Sequence, residues 1–168
     1  MRIFGVAGWS GSGKTTLLTA LIPVLVERGF AVSTIKHAHH DFDVDQPGKD
    51  SWRHRQAGAS EVMVASARRW ALMREHRGAP EPSLDQLAAR MSAVDLLLVE
   101  GFKRHPHARI EVHRRSLGKP LLYPEDPHIV AVACDEPLVL PLPVLPLADA
   151  DAVAAFILER VGLAPWPS

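Results

Sequence analysis

Residues 8–16 read G-W-S-G-S-G-K-T-T. The first eight fit G-x-x-x-x-G-K-[ST], the loop whose backbone amides cradle nucleotide phosphates. Its flanks are the ones such a loop needs. Before it, residues 2–7 read as a short apolar strand. After it, residues 14–27 carry Leu17, Leu18, Leu21, Ile22 and Leu25 at helical spacing. Gly8, Gly11 and Gly13 let the backbone curl until successive N–H groups converge on phosphate oxygens. The helix N-terminus adds partial positive charge there. Ser10, Gly11, Ser12, Gly13, Lys14, Thr15 and Thr16 are therefore the expected phosphate contacts. Within them, Lys14 is expected on the outer phosphates and the Thr15 hydroxyl on Mg²⁺. Pro23 falls inside the helical run and is expected to kink it.

Outward from the loop, strand and helix signals alternate. Strands are expected at residues 30–38, 61–67, 95–99, 110–113 and 129–134. Helices are expected at 50–59, from the Ser83 cap through Met91, and at 149–161. Residues 69–74 (R-W-A-L-M-R) stay open between helix and strand. The proline-rich stretch 137–146 excludes a long helix but leaves room for an edge strand at Val144 and Leu145. The alternation implies an α/β, three-layer P-loop NTPase-like fold, a mainly parallel central sheet flanked by helices. One domain over residues 1–168 is the expectation from length.

With 47% hydrophobic and 23% charged residues, the composition is that of a globular chain. Lysine plus arginine and aspartate plus glutamate number 19 each, and this zero balance argues against a general binder of nucleic acid or membrane surfaces. The single cysteine, Cys134, cannot form an internal disulfide and fits a reducing compartment as a small buried hydrophobe. No stretch has the pattern of a membrane span or signal peptide, so a cytoplasmic protein is expected.

A phosphate loop needs an acid at the end of a neighbouring buried strand to hold Mg²⁺. The run D-L-L-L-V-E-G offers Asp95 at its start and Glu100 at its carboxyl end. Ligands bind at carboxyl ends in open α/β sheets, so Glu100 is the expected metal-side residue. The base must be read elsewhere. No N-K-x-D guanine signature is present, but Asp135 follows the strand 129–134 as the aspartate of that signature would. Its carboxylate suits the paired N1–H and 2-amino donors of guanine and repels the N1 acceptor of adenine. The alternative is an aspartate that only opens the D-E-P turn.

The block at 36–55 is K-H-A-H-H-D-F-D-V-D-Q-P-G-K-D-S-W-R-H-R. His37 and His39 alternate, as do Asp41, Asp43 and Asp45, so an extended segment sets the carboxylates on one face. With His40, these residues point to a divalent metal, with Asp41 and Asp43 its carboxylate ligands, or to a solvated polar loop. A structural zinc site is disfavoured because no cysteine lies near. Lys49, Arg53 and Arg55 follow. They read either as a site for a second anionic group or as a solvated helix face.

This block, with R-Q-A-G-A, V-A-S, R-W-A-L-M, L-L-L-V-E-G-F-K and A-V-A-C-D-E-P-L, resembles the adaptor proteins of molybdopterin guanine dinucleotide biosynthesis, the MobB family. The resemblance covers nearly the whole chain, and Ala38 departs from it where a threonine is expected. It implies a GTP-binding homodimer with weak or no useful hydrolysis of its own. Its implied partner is the guanylyltransferase that attaches GMP to molybdopterin, with molybdopterin a further ligand. On that view His37, His39, His40, Asp41, Lys49 and Arg53 serve a second anionic ligand or the partner. Trp9 and Ser10 stand where ATPases that reach across a dimer carry an extra lysine, which disfavours that subclass. Two alternatives stay open. A small-molecule kinase would use Asp41 or Asp43 as base and arginines among Arg68, Arg69, Arg74 and Arg77 as a lid. A GTP-dependent metallochaperone would use the histidines.

Overall fold

A computed structural model of the chain describes residues 1–38 and 42–164. In chain order the first elements are β1 (Arg2–Ala7), α1 (Lys14–Glu27), β2 (Val32–Lys36), α2 (Asp50–Gln56), β3 (Glu61–Ala65), β4 (Trp70–Arg74) and α3 (Leu84–Ala88). There follow β5 (Leu96–Glu100), β6 (Arg109–His113), β7 (Ile129–Cys134), β8 (Val144–Pro146) and α4 (Ala150–Val161). Two compact units result, one from residues 1–37 with the chain after residue 90, the other from residues 38–90. No described helix is long and apolar enough to cross a membrane.

The first unit holds six strands in the order β2-β5-β1-β6-β7-β8, every neighbouring pair parallel. Period-two alternation divides the residues between its faces. Phe4, Val6, Leu96, Leu98, Ile110, Val112, Ala131 and Ala133 pack with Leu21 and Leu25 of α1 and Val153 and Ile157 of α4. These are the fully buried apolar runs that a central parallel sheet requires. The helix α1 runs from Lys14 to Glu27 with Pro23 inside it, on its exposed side. Its end is closed by Gly29 at φ 88°, with the Phe30 N–H donating to the Leu25 carbonyl at 3.1 Å. Phe30 thus belongs to the helix stop, and β2 begins two residues later than the apolar run alone implies.

The other face of β6 is unusual. Arg109 and Glu111 are fully buried, and His113 nearly so. Each charge is matched. The Arg109 guanidinium donates to the carbonyls of Lys103, His105 and His107 and pairs with Asp126 at 3.3 Å. The Glu111 carboxylate accepts the N–H groups of Leu122 at 2.8 Å and Tyr123 at 3.0 Å. Burial pushes the Glu111 carboxyl above its ordinary range, and those two hydrogen bonds oppose the shift. Because a buried charge without partners is costly, these bonds fix the segments around residues 103–107 and 120–126 against the sheet. The His107 ring closes the arrangement. A Cβ at Gly5 would lie 2.5 Å from its Nε2, so only glycine lets β1 pass over the ring.

In the second unit β3 and β4 pair antiparallel, with Met63 opposite Leu72 and Ala65 opposite Trp70. The open segment 69–74 is therefore mostly strand. The turn is held by Ser66, whose hydroxyl accepts the N–H groups of Arg68 and Arg69. Ser83 and Gln86 form a reciprocal capping box at the start of α3, which ends at Ala88, earlier than expected.

The His107 pKa is pushed down to about 4, by burial first and then by the charges of Arg109 and His105. An unfolded histidine takes its proton near 6.5, so the unfolded chain binds more protons between those values. Stability from the neutral ring is present above that window and lost as pH falls through it, by at most about 1.4 kcal/mol per pH unit. The His107 ring should titrate below about pH 5 by NMR. The urea midpoint of His107→Gln should fall less than the parent's on acidification across this window. A ring titrating at the ordinary value contradicts this assignment.

Candidate functional site

The loop between β1 and α1 curls as its glycines require. Gly8, Gly11 and Gly13 have φ of 145°, 78° and 100°. A Cβ on Gly8 would meet both the Ser12 Oγ and the Val112 carbonyl oxygen at 2.6 Å. Gly13 is the N-cap of α1, so Lys14 opens the helix. The Lys14 ammonium donates to the carbonyls of Gly8 at 3.0 Å and Trp9 at 2.9 Å, arching over the loop. Ser10, Thr15 and Thr16 are exposed around it. The Ser12 hydroxyl is buried in the loop without a partner among the described residues, as suits a donor turned to a ligand oxygen. Trp9 is pinned to a distant segment. Its indole N–H donates to the Pro120 carbonyl at 2.8 Å, and the Lys119 ammonium lies 5.7 Å from its ring centroid.

Strand register delivers the acid. Val6 and Lys36 each pair with Glu100, so the loop, Lys36 and Glu100 share one edge of the sheet. The Thr15 hydroxyl lies 3.5 Å from one Glu100 oxygen, and the Lys36 ammonium 3.7 Å from the other. Hydroxyl and carboxylate at the first turn of α1 are hard oxygen donors of the kind Mg²⁺ takes. Burial lowers the Lys14 pKa. The charge of Glu100 opposes that shift, while Lys103 and Lys36 add to it. Lys36 and Lys103 around Lys14, with the one carboxylate of Glu100, leave an excess of positive charge that a polyphosphate matches. Asp95 sits at the strand's other end and accepts the Ala31 N–H at 2.8 Å, a structural role. After Glu100 the chain turns sharply. Gly101 (φ 97°) passes His37 so closely that a Cβ would come within 2.6 Å of its Cβ. Phe102, at φ 49°, stacks on the His37 ring with centroids 4.8 Å apart.

Asp135 leaves β7 beside Arg114, which leaves β6, because His113 pairs with Cys134. Arg114 joins two parts of the site. Its Nε donates to the Ser12 carbonyl in the phosphate loop at 3.0 Å, and its Nη1 to Asp135 Oδ2 at 3.2 Å. The Cys134 thiol lies 3.7 Å from Asp135 Oδ1. Sequence reasoning missed Arg114, since only strand register brings residues 12, 114 and 135 together.

Of the polar block, His39, His40 and Asp41 lie outside the described residues. Asp43 and Asp45 do not stand apart as open ligands. With Glu75 they surround the Arg55 guanidinium at 2.6, 2.8 and 2.9 Å. That network occupies Arg55 as an internal tie of the second unit. Lys49, just before α2, and Arg53, within it, are exposed. Among the described residues no group of histidine, cysteine, aspartate or glutamate is arranged to hold a metal ion. Arg74 pairs with Glu61 at 3.1 Å, and Arg77 donates to the carbonyls of Arg55 and Ala59, so both brace their own unit.

Comparison with known proteins bears directly on this geometry. Residues 3–135 match the family model described as molybdopterin guanine dinucleotide synthesis protein B, MobB. The molybdopterin-guanine dinucleotide biosynthesis adapter protein of Escherichia coli is 48% identical over 160 residues, covering 94% of this chain and 91% of that protein. Its namesake in Haemophilus influenzae is 47% identical, covering 92% and 86%. A crystal structure of molybdopterin-guanine biosynthesis protein B superposes with a TM-score of 0.76 at 32% identity, covering 94% of this chain and 99% of that one. The MobB homologue of Bacillus stearothermophilus superposes with a TM-score of 0.68 at 27% identity, covering 96% and 99%. On these matches, with the phosphate loop and its strand-end glutamate in place, the chain belongs to the MobB family.

Proposed function

We propose that the chain is a GTP-binding adaptor of molybdenum cofactor biosynthesis, assisting the guanylyltransferase that converts molybdopterin to molybdopterin guanine dinucleotide. The observation that carries the nucleotide half is the meeting of Lys14, Thr15 and Glu100 at one sheet edge. The adaptor half follows from the function printed in the relatives' names. The loop amides, the Ser12 hydroxyl and Lys14 take the phosphates, while Thr15 and Glu100 would hold Mg²⁺, which would supply charge neutralisation there. Asp135 reads guanine from the other side of Arg114.

Holding GTP is favoured over hydrolysing it. Rapid hydrolysis needs a group free to orient the attacking water. The Glu100 carboxylate beside the loop is engaged by Thr15 and Lys36. Phosphoryl transfer by a kinase is disfavoured because Arg74 and Arg77, half of its candidate lid, are spent on their own unit. A homodimer in the cytoplasm is the proposed state. The β3–β4 hairpin supports it, with Met63, Trp70 and Leu72 exposed along one face. Lys49 and Arg53 are proposed to serve the anionic second ligand or the partner, and the same role is proposed for His37, His39, His40 and Asp41.

Reconstitution tests the adaptor role. Adding the protein with GTP and Mg²⁺ to purified guanylyltransferase and molybdopterin should speed dinucleotide formation, and Lys14→Ala should remove the gain. No stimulation by the parent protein contradicts the proposal. The metal assignment is separable. Glu100→Gln should weaken Mg²⁺-dependent GTP binding by about tenfold or more. Asp95→Asn should leave it nearly unchanged and cost only about 1 kcal/mol of stability through its bond to Ala31. Equal effects on binding would overturn the choice of Glu100.

A further inference from the structure

We propose that Arg114 is a positioning residue for base selection, a strut that sets the guanine-reading carboxylate at a fixed distance from the phosphate cradle. The inference rests on the proposed reading of Asp135. A single guanidinium touches both halves of the site, through Nε on the Ser12 carbonyl and Nη1 on Asp135 Oδ2. It also lies against the loop's last glycine, where a Cβ on Gly13 would come within 3.3 Å of Arg114 Nε. The planar guanidinium presents its donors in a fixed fork, so the two bonds set the loop and the carboxylate relative to each other.

The pairing leaves Asp135 able to read a base. A carboxylate has about four acceptor positions, and Arg114 fills one of them. The Cys134 thiol is a weak donor at long range and is readily displaced. Among the described residues this leaves one acceptor direction on each oxygen for N1–H and the 2-amino group of guanine. Without Arg114 the carboxylate would swing freely about its own side-chain torsions, and its alignment with a base whose phosphates are anchored in the loop would be lost. A nucleotide clamped at one end gains from base contacts only if they stand at the matching distance. The ion pair is partly exposed, with Arg114 37% and Asp135 31% accessible, so removing it leaves no buried charge unpaired.

The test is calorimetric titration of GTP, ATP and xanthosine triphosphate into the parent, Arg114→Ala, Arg114→Lys, Asp135→Asn and the double variant. The ratio of GTP to ATP affinity is the readout, because a purely structural loss would weaken both nucleotides alike. Asp135→Asn should abolish the guanine preference and raise affinity for xanthosine triphosphate, whose 2-oxo group accepts from the new amide. Arg114→Ala should lower the GTP:ATP ratio by at least about threefold, with Arg114→Lys in between, since lysine cannot fork. The double variant should be no less selective than Asp135→Asn alone, the non-additivity expected of residues acting as one unit. If Asp135→Asn removes the preference but Arg114→Ala keeps the parent's ratio, the strut is wrong and the Asp135 reading stands. If Asp135→Asn keeps the preference, base reading lies elsewhere and the strut falls with it.

Discussion

Hydrogen bonding between β1 and β5 sets Val6 beside Glu100, and pairing between β2 and β5 sets Lys36 beside the same residue. Slipping β5 by one residue would turn the Glu100 side chain to the opposite face, away from Thr15. The register is protected by the core. Leu96 and Leu98 pack with Phe4 and Val6, while Leu97 and Val99 are as fully buried on the other face, so a slip would disturb the packing of both layers. Apolar packing over four residues of one strand, Leu96 to Val99, thus fixes a polar contact at its end. The same logic at β6 and β7 brings Arg114 and Asp135 together.

A second constraint is the burial of Arg109 and Glu111 in β6. Apolar residues there would give a simpler core, and replacing a buried ionic cluster by hydrophobes is often neutral for stability. What the charges add is directional. Arg109 gathers the carbonyls of Lys103, His105 and His107, and so shapes the segment that follows Glu100 and carries Lys103 toward Lys14. Glu111 gathers the amides of Leu122 and Tyr123, just after Pro120, whose carbonyl holds Trp9 of the phosphate loop. The phosphate cradle is therefore buttressed from beneath the sheet on two sides.

Much of this was legible in the sequence, for identifiable reasons. The phosphate loop declares itself because its chemistry is local, with nine consecutive residues carrying glycines, lysine and hydroxyls in a fixed order. The positions of Glu100 and Asp135 were legible because each directly ends or follows an apolar strand. Arg114 was not, since nothing in H-R-R-S marks a residue whose partners lie 102 and 21 positions away. The alternating aspartates suggested open ligands, yet Asp43 and Asp45 turn to Arg55, ten to twelve residues on in the same block. Alternation describes one strand's faces and is silent about a cation that folds back on them. Residues 69–74 stayed ambiguous because five strand residues are too few to separate the periods. Pairing with β3 decided them.

The central claim is a nucleotide site made by the loop at Gly8–Lys14 together with Glu100, and calorimetry with GTP tests it most directly. The account predicts saturable binding of one GTP per chain, weakened when Mg²⁺ is chelated and abolished in Lys14→Ala, while the variant's thermal unfolding without nucleotide stays that of the parent. GTP binding by Lys14→Ala as tight as the parent's would contradict it.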